Sequence, residues 1–101
     1  MRLIDVRTSD GSRHFACLPK TCDWKKLRDH IGQLQGLEFV NLVVGRPEDP
    51  WCDFTFRGPR FLIRNGGPYY HFFVGDPQCS DLLLFQVALH CERLLGPDAA
   101  Q

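Results

Sequence analysis

Five cysteines (Cys17, Cys22, Cys52, Cys79, Cys91) and four histidines (His14, His30, His71, His90) are the side chains best able to hold a metal or attack an electrophile. A metal needs several such ligands at clamp spacing. The chain has no Cys-x-x-Cys and no His-x-x-x-His. Cys17 and Cys22 are separated by four residues across a strand end and a helix start. The adjacent His90 and Cys91 project from different sides of one helix. No metal site and no cofactor are therefore expected. A nucleophilic cysteine needs an accessible, acidified thiol. Cys79, just ahead of the last helix, and Cys22, at the start of the first, lie where a helix dipole would acidify them. The competing reading of Cys79 is a small residue in a tight Asp-Pro turn. Cys17, Cys52 and Cys91 fall in apolar patterns, where a thiol acts as a small hydrophobe. The carboxylates are scattered, with no spacing that suggests acid–base work. Arg64-Asn65-Gly66-Gly67-Pro68 is glycine-rich, but no helix and no Gly-Lys-Ser/Thr follow it. It is read as a hairpin turn and not as a phosphate loop.

A second constellation is basic and aromatic. Arg57, Arg60 and Arg64 interleave with Tyr69, His71 and Phe73. Sheets that bind single-stranded nucleic acid combine such cations with stacking platforms. The same residues better suit a merely solvated face whose aromatics support strand pairing, or next a protein-contact face. Trp51, after Pro50, could anchor an interface or cap a sheet edge.

The elements that must carry these residues are legible in outline. Residues 2–7 and 13–18 alternate as two strands around the turn Ser9-Asp10-Gly11-Ser12, and Pro19 should stop the second. A helix is predicted from about Cys22 to Gln35, capped by Thr21 or Asp23 and closed by Gly36, with Trp24, Leu27, Ile31 and Leu34 as its apolar stripe. Leu37–Val44 is apolar on both faces and reads as a central strand. Two prolines should keep residues 45–50 out of any sheet. Strands at about 51–57, 60–64 and 69–74 follow as antiparallel hairpins, then a helix from Ser80 or Asp81 to Gly96-Pro97. The expected fold class is α+β, order ββαββββα. It is a two-layer sandwich of a mostly antiparallel sheet, about six strands, with two helices on one face. Residues 1–97 form the domain, and 98–101 a frayed tail.

Two-residue and four-residue loops at Gly58-Pro59 and Asn65–Pro68 would pair Phe56 with Phe61 and Phe61 with Phe72. Alternation then sends Phe54, Phe56, Phe61, Ile63, Tyr70, Phe72 and Val74 to the core. Asp53, Thr55, Arg57, Arg60, Leu62, Arg64, Tyr69, His71 and Phe73 face outward, with Asp53 opposite Arg64. In the last helix, Leu84, Val87, Ala88, Cys91 and Leu95 make a core stripe. Leu82, Phe85 and Leu89 make a second strip that must pack on the first helix or on something outside the chain.

At 101 residues with 44% hydrophobic and 24% charged residues, the chain suits one globular domain with its own core. Twelve basic and twelve acidic residues cancel, whereas dedicated nucleic-acid binders usually carry a basic excess. An odd cysteine count, an early charge at the N-terminus and short apolar runs point to a reducing, cytoplasmic setting with no membrane span. The leading expectation is a non-enzymatic interaction module that binds protein and self-associates. The alternatives are a single-stranded nucleic-acid binder on the outer sheet face and a thiol-dependent enzyme using Cys79 or Cys22.

Overall fold

A computed structural model describes residues 2–46 and 49–96, with the side chains of 41–51 left aside. The tail expected at 98–101 lies outside the described residues.

Strands β1 (Val6–Arg7) and β2 (Arg13–Pro19) form a hairpin. Helix α1 (Trp24–Ile31) leads to β3 (Leu37–Arg46), β4 (Asp49–Phe56), β5 (Arg60–Gly66) and β6 (Tyr69–Val74), and α2 (Asp81–Leu95) closes the order ββαββββα. The six strands make one sheet in the order β1-β2-β6-β5-β4-β3. Every strand pair is antiparallel. The fold is an α+β sandwich, as the sequence predicts.

One core joins the sheet to both helices. Phe54, Phe56, Phe61, Ile63, Tyr70, Phe72 and Val74 from the sheet are buried with Leu27 and Ile31 of α1 and Leu84, Val87, Ala88, Cys91 and Leu95 of α2. The predicted inward set therefore holds, and the outward set holds apart from Arg57, which the turn carries to the helix side. The predicted cross-strand partners do not hold. Phe61 pairs with Phe54 and with Val74. Asp53 pairs with Leu62, and Arg64 with Trp51 and His71.

The reason is turn chemistry. The first hairpin closes on Arg57-Gly58, at φ 53° and 113°, with the Phe56 N–H donating to the Pro59 carbonyl at 3.0 Å. A two-residue turn of this kind needs positive φ at both central residues, which Pro59 cannot adopt. The second hairpin closes on Gly67-Pro68, with Gly67 at φ 61° and Gly66 opposite Tyr69. Each partner is displaced by two residues, an even slip that leaves the faces intact.

Other differences are local. The first strand is only Val6–Arg7, and β2 runs through Pro19. Helix α1 begins at its Asp23 cap, which accepts from the Lys26 N–H at 2.9 Å, and stops at Gly32, a turn before the expected end. Strand β3 is an edge strand and not central: Val40 is exposed, and of its described side chains Leu37 and Phe39 join the core margin. Gly45 and Arg46 pair with Pro50 and Asp49, so Pro50 is inside β4. It precedes Trp51, the first residue of β4 paired with β5. Its missing N–H therefore costs the β4–β5 ladder nothing.

Helix α2 starts at Ser80, whose hydroxyl accepts from the Leu82 N–H, and ends at Gly96 with φ 89°. Its ends are tied to the N-terminal half. Arg13 reaches Asp81 at 3.1 Å, and the Thr21 hydroxyl donates to the Leu95 carbonyl at 2.9 Å.

Candidate functional site

The outer sheet face is built by β5, β6 and β2. Leu62, Tyr69, His71 and Phe73 are half-buried there, and Arg60 and Arg64 are exposed. Asp53, on the same face, is buried and takes both Nε and Nη2 of Arg60 on its two oxygens. Arg60 is thereby neutralised in place, a bidentate pair of the strong geometric kind. Arg57 does not reach this face. As the first turn residue it is carried to the helix side, where its guanidinium lies 5.4 Å from the Phe56 ring centre. There it lines a cavity of about 260 Å³ with Leu34, Gln86, Leu89 and Arg93. The face thus offers less positive charge than the sequence suggests.

Beside Arg60 lies a shallow hollow of about 260 Å³ over Leu62 and Phe73, walled by Asp10, Ser12 and Asp53. Its rim is rigid. Asp10 accepts from the Ser12 N–H at 3.0 Å, the Ser12 hydroxyl at 2.7 Å and the Thr8 hydroxyl. These bonds, the Thr8 one first, hold the Asp10 carboxyl down to about 2. A hollow of this volume is below the roughly 300 Å³ at which small-molecule pockets begin.

The strip on α2 is where the sequence places it. Leu82 is 68% exposed and Leu89 41%. Phe85, between them, is half-buried and does not belong to the core margin. Helix α1 leaves the strip uncovered because its contact with α2 lies elsewhere. There His30 and His90 stack at 4.1 Å, and the Nε2 of each donates to the other's backbone carbonyl at 2.6 Å. Trp51 is in β4, and its side chain lies outside the described residues.

No known protein family, curated protein or solved structure matches this chain.

The expected thiols are not acidified. Burial pushes Cys79 up, followed by Asp76, and its Sγ donates to the Ser80 carbonyl. Burial also raises Cys22, followed by Asp23. At both sites loss of water outweighs the helix dipole. Among the described residues, no group of three or more His, Cys, Asp or Glu has an arrangement that could hold a metal ion.

One group of residues escapes sequence reasoning. Cys17 of β2 lies across from His71 of β6, and His14 across from Phe73. Cys17 Sγ is 3.7 Å from His71 Nδ1, and His14 Nε2 is 3.3 Å from the same nitrogen. The His14 ring stacks on Phe73 at 4.8 Å. Burial, then the neighbouring His71, lowers His14 below its usual range and keeps it neutral. Cys17 reads as a core thiol from its apolar neighbours. Only the β2–β6 pairing reveals the imidazole beside it.

Proposed function

We propose that the protein is a non-enzymatic interaction module that pairs with a second copy of itself through the outer strip of α2. The observation that carries this is the exposure of Leu82 and Leu89, 68% and 41%, on a helix whose other stripe is wholly buried. Leucines at such spacing on one helix face lose a few kcal/mol of transfer free energy while they stay in water.

The end residues support a second copy as the occupant. Asp81 is exposed at the N-terminal end of α2, and Arg93 at its C-terminal end. Two α2 helices packed antiparallel about Phe85 would set Leu82 against the partner's Leu89 and bring Asp81, which also holds Arg13 of its own chain, toward the partner's Arg93. That contact is self-complementary in shape and charge, as a two-fold interface requires. The strip is short beside the roughly 800 Å² per partner of a standard interface. The association is accordingly weak and concentration-dependent. Twelve acidic and twelve basic residues leave no net repulsion between copies. Five free cysteines support a reducing, cytoplasmic setting. No helix among the described residues is long and apolar enough to cross a membrane.

Sedimentation equilibrium from micromolar to millimolar protein tests the reading. The wild-type mass should rise toward that of a dimer, and Phe85→Asp should stay monomeric with an unchanged far-UV spectrum. A wild-type chain that is monomeric at millimolar concentration sinks the proposal. So does Phe85→Asp that unfolds, because Phe85 would then belong to the core.

A further inference from the structure

The residues around Cys17 carry a site that does not depend on α2, since the sheet separates the two. His71 is held in one tautomer. Its Nε2 lies 3.2 Å from the Gly66 carbonyl, which can only accept, so Nε2 carries the hydrogen and Nδ1 presents its lone pair. Gly66 is what lets the ring come so near. A Cβ there would fall 2.5 Å from Cδ2 and 2.6 Å from Nε2 of His71. That lone pair faces Cys17 Sγ at 3.7 Å, within reach of an S–H···N hydrogen bond, with His14 Nε2 at 3.3 Å as its other neighbour. A thiol, a base and a carbonyl that orients the base form the arrangement that activates nucleophilic cysteines. Arg64 of β5 stands across from His71, His14 of β2 stays neutral, and the Tyr69 ring of β6 lies 6.5 Å away.

We propose that Cys17 is a covalent modification site that exchanges with low-molecular-weight disulfides, with His71 as its base. The Cys17 proton passes to His71 Nδ1. The thiolate attacks one sulfur of the disulfide, and the disulfide's S–S bond breaks as the mixed disulfide forms. The departing thiolate takes the proton from His71 and leaves as a free thiol. Cys17 is oxidised, the departing sulfur is reduced, and no other oxidant is needed. The remaining thiols do not compete. Cys52, Cys79 and Cys91 are buried, burial takes Cys52 to about 12 and Cys91 higher still, and burial raises Cys22 as well.

The experiment treats the native chain with oxidised glutathione between pH 6 and 9 and maps the adducts by mass spectrometry. Cys17 should react first. With His71 to take its proton, it should react about tenfold faster than an ordinary thiol near neutral pH. Cys22, half-buried like Cys17, is the internal comparison. The Cys17 rate should also level off below pH 8.5, the usual thiol value. His71→Asn should bring it down toward that of Cys22. Gly66→Ala should do the same by pushing the ring away. A Cys17 no faster than Cys22, or a rate indifferent to His71→Asn in a folded variant, overturns the proposal. If His71→Asn fails to fold, the wild-type comparison and its pH profile decide alone.

Discussion

The contact between the helices makes a sharp prediction about acid. His30 and His90 stack at 4.1 Å, and each Nε2–H is already given to a carbonyl. Burial, above all, holds His90 below its usual value; the hydrogen bond to the His30 carbonyl opposes this in part, and the neighbouring His30 ring and Arg93 add to it. A histidine whose folded value is depressed is neutral in both states above the unfolded value, about 6.5. The clasp therefore contributes fully at pH 7.5. As pH falls through 6.5 the unfolded chain takes up its proton first, and stability drops until the folded value is passed. Two positive rings 4.1 Å apart repel by about 1 kcal/mol in water and about 4 kcal/mol at an effective dielectric of 20. For a pair on the helix surface the expected loss is about 1–2 kcal/mol between pH 7.5 and 5.0. His90→Gln keeps the backbone carbonyl that His30 uses and supplies an amide donor, but it cannot charge. Urea unfolding at both pH values should show the variant losing about 1 kcal/mol less than the wild type. His14, also depressed, contributes equally to both proteins and cancels. Equal losses in the two proteins would refute the reasoning.

Two further substitutions test the scaffold. Arg57→Asn should raise the urea midpoint by the equivalent of about 0.5–1 kcal/mol, because Asn tolerates the φ of 53° and Asn-Gly suits this turn. Arg13→Leu should cost about 2–4 kcal/mol by thermal or urea unfolding, because the buried guanidinium donates twice to the Ile4 carbonyl and once to Asp81.

How much of this was legible in the sequence depended on the range of the interaction. The faces of β4 to β6 follow from a two-residue period, and even a wrong register moved partners by an even number, so Phe54, Phe61 and Phe72 stayed inside. The register itself turned on Pro59, whose ring forbids the φ that Gly58 and Arg57 accept. Apolar residues on both faces of β3 suggested a central strand, yet strand order is a property of the whole chain. The strip Leu82, Phe85, Leu89 was visible because helical spacing alone defines it. The pairs Cys17–His71 and His30–His90 were not, because each joins residues more than fifty positions apart.

The strand order has a consequence for assembly. From β3 to β6 each strand neighbours the next in sequence, so this meander closes by short hairpins alone. The seam between β2 and β6 instead brings together segments separated by α1 and three strands, and closing it carries the larger entropic cost. The bonds from Tyr70 to the Cys22 carbonyl and from Thr21 to the Leu95 carbonyl belong to that closure, and so does the meeting of Cys17 with His71. A thiol that gains its base only there would report, by its own chemistry, on whether the last joint of the sheet has been made.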